Sequence, residues 1–256
     1  MNIETILDIA LTLGTGLMEN GGETYRAEDT IERVCHAMGC ESIEVFAIPT
    51  GVILTVRYNN ILYTRLQRVH KSTIDLRIVT RLNELSRRIV SGEIEHDAIE
   101  AEVKFILASP PYDARLRSVS AGLSGGFFTL MFQGNLWEFT FSFIVSAVVS
   151  LMYSYGIRSV QSGFMKNIIG GFVTAALAIF LSEIVSPTPL TTYDRIIIGA
   201  IMPLVPGLAM TNAIRDSLSG ELVAGVTKLA ETLIIATGIA IGVGIALSLR
   251  LNILGG

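Results

Sequence analysis

Residues 139–155 read FTFSFIVSAVVSLMYSY, and this run contains no Asp, Glu, Lys or Arg. A helix needs roughly 20 mostly apolar residues to cross the hydrocarbon core of a bilayer, with about 17 as the lower limit. Together with its flanks, the run therefore predicts a transmembrane helix. Further runs of the same kind follow it along the chain.

Charged residues are distributed unevenly on either side of Arg117. The first 117 residues contain 30 of the charged side chains, and the remaining 139 contain 12. With 50% apolar residues and a mean hydropathy of +0.56, this pattern is typical of a protein that embeds only its second part in lipid. We predict an α-helical membrane protein, with a small α+β cytoplasmic domain at residues 1–112 and a transmembrane module at residues 113–256.

The transmembrane module contains five apolar segments that are candidate spans. The first is short and the fourth is interrupted by prolines, so a count of four is the alternative. The five segments are 119–133, 139–155, 168–185, 196–213 and 229–249.

Basic residues in the loops predict the orientation of the spans. An excess of Lys and Arg marks the cytoplasmic side, and the first 18 residues do not resemble a cleavable signal peptide. We therefore expect a cytoplasmic N-terminus and an external C-terminus. The basic residues on the predicted inner side are Arg115, Arg117, Arg158, Lys166, Arg215 and Lys228.

Helix and strand signals alternate within the first 112 residues. Helices are predicted over 3–18 and about 96–107, together with a helix capped by Thr24 and closed by Gly39, and a helix opened by Ser72 and Asp75 and closed by Gly92. Three strands are predicted over 42–48, 52–57 and 61–67.

The chain contains no convincing internal repeat. Many transporters are built from two similar halves, with the substrate bound between them. Five spans without a second copy therefore predict one half of such an assembly, which a partner chain or a homo-oligomer would complete.

The fourth segment carries the helix-breaking residues Pro203, Pro206 and Gly207. Each proline removes a helical N–H donor and clashes with a preceding carbonyl. In lipid, a broken helix is tolerated where protein or trapped water satisfies the freed backbone groups. The break therefore predicts a cavity, and a half-helix starting near Pro206 would offer its positive end to a carboxylate. A simple kink is the alternative, although Thr211 and Asn212 add polar groups downstream.

Two charged residues of the module have competing interpretations. Glu183, near the outer end of the third segment, could carry a proton or bind an ion, or it could simply be solvated. Arg215 could attract an anion at the cytoplasmic mouth, or it could only set the topology.

Residues 19–28, ENGGETYRAE, form the densest polar cluster of the first domain. A flexible glycine pair precedes a predicted helix start, and several charged residues surround it. This cluster, with Glu19 as its first residue, could be a ligand loop, a gate or an interdomain contact.

Several function classes lack their sequence patterns here. The chain has no G-x-S-x-G, H-E-x-x-H or P-loop pattern, and its three histidines are scattered. A net charge of −4 gives no basic stripe for nucleic acid. We therefore expect no catalytic residues, no cofactor, no metal and no nucleic-acid partner, and we expect any transport to be driven by a gradient.

Residues 17–28, and Pro203-Leu204-Val205-Pro206-Gly207 with Asn212, Asp216 and Gly220, resemble the threonine/serine exporter (ThrE) family of bacterial inner-membrane proteins. The resemblance covers essentially the whole chain. A single five-span module resembles the larger, YjjP-type subunit of the two-component members, which implies a small YjjB-like membrane subunit as its partner.

The resemblance implies export of small hydrophilic metabolites, namely C4-dicarboxylates such as succinate for two-component members and threonine or serine for fused members. Our hypothesis is a subunit of an inner-membrane exporter of small carboxylates. The alternatives are a threonine/serine exporter subunit, and a membrane-tethered hydrolase or metabolite-sensing scaffold that uses the N-terminal domain. The residues carried over by motif are Gly21, Gly22, Thr24, Arg26 and Glu28 in the first domain, and Pro203, Pro206, Gly207, Asn212 and Asp216 in the second.

Overall fold

The computed structural model describes residues 2–70, 73–157, 160–185 and 192–254. Ser72, expected to open a helix, and Arg158, used for the orientation, lie outside these residues. The helices are α1 (Ile3–Glu19), α2 (Thr24–Ala37), α3 (Leu76–Val90), α4 (His96–Leu107), α5 (Ala114–Met131), α6 (Leu136–Leu151), α7 (Gly163–Phe180), α8 (Tyr193–Ile201), α9 (Gly207–Leu218) and α10 (Leu222–Leu254). The strands are β1 (Ile43–Ile48), β2 (Gly51–Tyr58) and β3 (Ile61–Arg68).

Short irregular turns extend three of these helices. A π-helical turn, Met152–Gly156, continues α6, and another, Leu181–Val185, continues α7. A 3₁₀ turn, Met202–Leu204, continues α8 and contains Pro203. Because Pro203 has no N–H, the α-helical hydrogen-bond pattern ends there.

The chain divides into two compact units. The first contains Met1–Pro111 and Gly207–Ala230, and the second contains Tyr112–Pro206 and Glu231–Gly256. From sequence we group residues 207–230 with the transmembrane module, whereas in the structure they belong to the first unit. The physical reason is that the polar side chains of this segment find their partners there, as described below.

The core of the first unit is built around α1. Nearly every apolar side chain of this helix is buried, including Ile6, Leu11 and Leu13. Helices α2, α3 and α4 and one face of the sheet contribute the rest of the core. An apolar helix surrounded by amphipathic elements is an efficient way for a domain of this size to bury its surface.

The predicted three-stranded sheet is confirmed. The strands are antiparallel in the order β1-β2-β3, and Asn59 and Asn60 adopt positive φ angles in the two-residue turn between β2 and β3. In β2, Val52, Leu54 and Val56 face the core, whereas the residues between them face outwards.

The prediction of a multi-pass membrane protein agrees with the helices of the structure. Among the described residues, three helical segments are long and apolar enough to cross a membrane: Leu136–Gly156, Gly163–Glu183 and Leu222–Asn252. A fourth is present if Tyr193–Leu204 and Gly207–Leu218 are counted as one broken span. The count of five stays a prediction.

Small and hydroxyl-bearing residues join the helices of the second unit. A Cβ atom on Gly199 of α8 would lie 2.7 Å from the carbonyl oxygen of Gly125 in α5. The Thr129 hydroxyl donates to Ser142 (2.6 Å), whose hydroxyl donates to the carbonyl of Ile196 (3.1 Å). Close backbone approach and interhelical hydrogen bonds are the usual means of packing helices in lipid.

Replacing Gly199 with Ala tests this packing. The added methyl group must push α5 and α8 apart, so we expect a loss of about 1–3 kcal/mol in the free energy of unfolding. Gly244→Ala is the matched control, because a Cβ at Gly244 meets nothing within 4 Å. Thermal unfolding of the full chain in detergent measures both variants, and equal midpoints would contradict the packing argument.

Candidate functional site

A glycine pair forms the turn between α1 and α2. Gly21 has a φ of +92°, a conformation that favours glycine. A Cβ on Gly22 would lie 2.8 Å from the carbonyl oxygen of Leu17. Both glycines are therefore required by the backbone, which turns sharply and presents the N-terminus of α2.

An acid from a distant part of the chain caps this N-terminus. The backbone N–H of Thr24 donates to Oδ1 of Asp216 (3.0 Å), and Nζ of Lys228 donates to Oδ2 of the same carboxylate (2.7 Å). The Asp216 side chain is fully buried. A carboxylate at this position is favoured by the free N–H groups and by the helix dipole.

The prediction that the Thr24 side chain caps α2 is wrong. Thr24 is the first helical residue rather than the capping residue. Its hydroxyl is buried and has no hydrogen-bond partner among the described residues. The charged carboxylate of Asp216 takes the place of the expected hydroxyl, because an ionised acceptor interacts more strongly with helix N–H groups.

Further polar contacts surround this carboxylate. The Asn212 side chain donates to the carbonyl of Gly21 (2.8 Å). Arg215 forms an ion pair with Glu23, whose carboxylate also lies 3.3 Å from Arg26. We name these residues the α2 cap cluster, comprising Gly21, Glu23, Thr24, Asn212, Arg215, Asp216 and Lys228. It joins candidates from both halves of the sequence within the first unit.

Glu28 lies one turn further along α2. Its carboxylate accepts a hydrogen bond from the backbone N–H of Ala47 (2.6 Å). Burial, helped by the negative charges of Glu221 and Asp216, raises the pKa of Glu28 to about 7 against the lowering effect of the Ala47 hydrogen bond. The Glu28 carboxyl group therefore changes between its protonated and ionised forms near neutral pH.

Three other candidates, Glu19, Arg26 and Thr211, are not members of the cap cluster. The Glu19 carboxylate accepts from the backbone N–H of His70 (3.1 Å), so it ties α1 to the segment that follows β3. Arg26 is half-exposed and its Nε lies 3.2 Å from the Tyr25 hydroxyl. The Thr211 hydroxyl donates to the carbonyl of Gly207 within its own helix (3.0 Å).

A cavity of about 290 Å³ lies beside Pro203 in the second unit. Its polar lining consists of hydroxyl and amide groups, and no charged side chain belongs to the described lining. Pro206 lies instead on a separate apolar groove between the end of α8 and α10. The lining residues of the cavity are Ala121, Ser146, Val149, Ser150, Tyr153, Asn167, Ala200, Pro203 and Leu204.

Glu183 does not line that cavity. Its carboxylate accepts from Nε of Arg250 (2.5 Å), and the Arg250 guanidinium lies 4.5 Å from the centre of the Tyr193 ring. This ion pair connects the end of α7 to the end of α10. Its partial exposure, 23–27% of each side chain, fits a structural contact better than a proton carrier inside a span.

Sequence reasoning missed Lys228 and Glu138 as site residues. Lys228 interrupts an apolar run, so it requires a buried partner, and that requirement was the available signal.

Glu138 is fully buried and accepts from the backbone of Asn135 (2.8 Å) and from the backbone and hydroxyl of Thr192 (2.9 and 2.8 Å). The spacing of Asn135 and Glu138 is that of a capping box, which the sequence displays.

Metal-ligating residues are not clustered in the part of the chain that the structure describes. No three side chains of His, Cys, Asp or Glu come close enough there to hold a metal ion. The arrangement of charged residues is instead one of ion pairs and helix caps.

Comparison with known proteins gives consistent matches over nearly the whole chain. A family model described as putative threonine/serine exporter matches residues 8–250. The probable succinate transporter subunit YjjP of Escherichia coli (strain K12) is 21% identical over 94% of this chain and 93% of its own length. YjjP of Klebsiella aerogenes is 24% identical over 91% of this chain and 89% of its own length.

A longer relative is matched over only part of its length. The threonine/serine exporter of Corynebacterium glutamicum is 23% identical over 95% of this chain, which corresponds to 51% of that protein. No solved structure matches the chain.

Replacing Asp216 with Asn tests the α2 cap cluster. Asn keeps an acceptor for the Thr24 N–H but leaves Lys228 without this counter-charge, so we expect a loss of about 2 kcal/mol in the free energy of unfolding. Asp29→Asn is the control, because Asp29 forms an exposed ion pair with Arg33. Thermal unfolding in detergent measures both variants. Equal midpoints for the two would show that the cap cluster does not stabilise the fold.

Replacing Glu28 with Gln tests the titration of this residue. Because the pKa in the folded chain is about 7, against an ordinary 4.5, the folded state holds this proton more tightly than the unfolded state. The resulting stabilisation is complete below about pH 4.5 and is lost as the pH rises through about 7. We expect Glu28→Gln to remove this part of the pH dependence of thermal unfolding, whereas the exposed control Glu32→Gln should retain it.

Proposed function

Because the chain belongs to the threonine/serine exporter family, we propose that it is one subunit of a two-component exporter of small carboxylates, with C4-dicarboxylates such as succinate as the favoured substrates. The observation that carries the proposal is the length of the matches. The chain aligns with almost all of a protein named as a transporter subunit, but with only half of the single-chain exporter. A small YjjB-like membrane subunit would supply the missing half.

We propose the cavity beside Pro203 as part of the substrate pathway. Pro203 interrupts the helix at the cavity, and Ser146, Ser150 and Asn167 offer hydroxyl and amide groups to a ligand. Hydrogen-bond donors of this kind replace the water that a carboxylate loses when it leaves solution. A volume of about 290 Å³ holds on the order of ten waters at about 30 Å³ each, or one small metabolite.

The α2 cap cluster is proposed as the element that couples the first unit to transport. Asn212 and Asp216 lie on α9, which follows Pro206 directly in the chain, and they bind the turn at Gly21 and the start of α2. A displacement of α9 therefore has to break or carry these contacts. Glu28, which exchanges its proton near neutral pH, would make that step sensitive to a proton gradient.

We further propose that α5 is the fifth span and that the chain lies in the bacterial inner membrane. Five large apolar side chains of α5 form an exposed stripe at helical spacing, as a lipid-facing helix requires. The N-terminus would be cytoplasmic and the C-terminus periplasmic. The stripe consists of Leu116, Val119, Leu123, Phe127 and Met131.

Export of threonine or serine is the second candidate function. The described lining of the cavity is neutral, and a buried dianion without a cationic partner is strongly disfavoured. An amino-acid zwitterion has no net charge, so its transfer to such a cavity costs less. For a dicarboxylate, the partner subunit would have to provide the cations.

Efflux measurements test the proposed function and separate the two substrate classes. Cells are preloaded with labelled succinate or threonine, and they express this chain, a YjjB-like subunit, or both. We expect faster efflux of one substrate only when both subunits are present. Efflux no faster than from empty cells would refute the transporter, and turnover of a metabolite by the purified full chain would instead support the hydrolase alternative.

Replacing Asn167 with Leu tests the cavity itself. Leu has a similar size but no hydrogen-bonding group, so we expect efflux to fall about tenfold at equal membrane abundance. Thr140→Val is the matched control, because Thr140 is exposed and its hydroxyl bonds within its own helix, to Leu136. Equal efflux from the two variants would remove the cavity from the pathway.

A further inference from the structure

The sheet of the first unit has an apolar outer face. Residues from the three strands form a regular grid of three rows of three there, and a further row, Arg57 of β2 and Leu62 of β3, lies beyond it. We name this grid the open sheet face. Its rows are Ile48, Gly51 and Arg68; Phe46, Ile53 and Leu66; and Glu44, Thr55 and Thr64.

The central row of this face is exposed although it is wholly apolar. Phe46, Ile53 and Leu66 are 51%, 39% and 59% exposed. Contiguous exposed apolar residues on a folded domain mark interaction surfaces, because leaving them in water is unfavourable. The opposite face of β2 is already buried in the core, so any layer that covers the open sheet face has to come from outside the first unit's core.

Two charges of the grid are arranged symmetrically about its centre, and a third charged residue, Arg57, lies in the row beyond the grid. Glu44 and Arg68 occupy diagonally opposite corners of the grid, with Ile53 between them. Neither forms an ion pair with another of the described residues. An acid and a base related in this way are complementary to themselves after a twofold rotation.

We propose that the open sheet face binds the same face of a second copy of this chain. A twofold axis in the plane of the interface, passing over Ile53 and perpendicular to the Glu44–Arg68 diagonal, places Glu44 of each copy over Arg68 of the other. With strands about 4.8 Å apart and alternate residues about 6.8 Å apart, the strands of the two sheets then cross at roughly 70°. This angle is close to the orthogonal class of sheet packing.

The proposed pairing satisfies both kinds of group on the face. The three central apolar side chains of each copy cover one another, and two Glu44–Arg68 ion pairs form at the edges. Twofold symmetric dimers are the commonest oligomers, and their interfaces have to be self-complementary in this way. A lipid surface would cover the apolar row but offers no fixed arrangement of charges to match Glu44 and Arg68.

Cross-linking of the full-length chain in isolated membranes tests the pairing. One tagged copy carries Glu44→Cys and a differently tagged copy carries Arg68→Cys, while the native Cys35 and Cys40 are buried. We expect a disulfide between the two tags on mild oxidation. The control combines Glu44→Cys with Thr64→Cys, which the twofold axis keeps roughly 14 Å apart along the sheet plane at the spacings given above. Equal yields from the two combinations, or no cross-link in either, would overturn the proposal.

Charge reversal provides an independent test in detergent. We expect Glu44→Arg and Arg68→Glu each to raise the Kd of dimerisation about tenfold, because every dimer contains the pair twice. The chain with both substitutions should return to the original Kd. The pairing would be refuted if neither single substitution changed the Kd, or if the double substitution did not restore it. This holds even if the chain also dimerises through its membrane helices.

Discussion

The first unit depends on one buried carboxylate. Asp216 lies between the N-terminus of α2 and the ammonium group of Lys228, and it is fully removed from solvent. A buried charge is stable only when its lone pairs and its counter-charge are both supplied. The helix N-terminus and the lysine meet these two needs at once, so α2, α9 and the start of α10 are fixed to one another. The glycine turn that exposes the helix N-terminus is required by the same arrangement.

Local patterns made much of the fold predictable. Three features follow from interactions between residues close in sequence: the alternation of apolar and polar residues in β1 to β3, the turn at Asn59 and Asn60, and the helical periodicity of the first domain. The apolar runs of the second half follow from the cost of charge in lipid. The cap cluster could not be predicted, because Thr24 and Asp216 are separated by 192 residues and nothing local identifies an acid as the partner of one particular helix. The same holds for Glu183, whose partner Arg250 lies on another helix.

The α2 cap cluster and the cavity use polar groups in opposite ways. In the cap cluster, charges form ion pairs and a helix cap, so they hold elements in place, as Glu183 and Arg250 also do in the second unit. Around the cavity, hydroxyl and amide groups join helices through Thr129 and Ser142 or face the cavity through Ser150 and Asn167. Neutral groups can exchange one hydrogen-bond partner for another at little cost, whereas a buried ion pair cannot lose a member cheaply. A pathway for changing solutes is therefore better built from neutral hydrogen-bonding groups, and a fixed contact is better built from buried ion pairs.

The cap of α2 also determines when this protein can finish folding during its synthesis. Helix α2 leaves the ribosome early, but its capping acid is made 192 residues later, after roughly 10–40 s at usual rates of translation. The apolar helices α5, α6, α7 and α8 are synthesised in this interval. Helix α2 therefore gains its cap only after most of the apolar helices have been made. A chain that fails to place Asp216 at α2 keeps this helix uncapped, and the resulting loss of stability makes the chain a better substrate for the proteases that remove unfolded proteins.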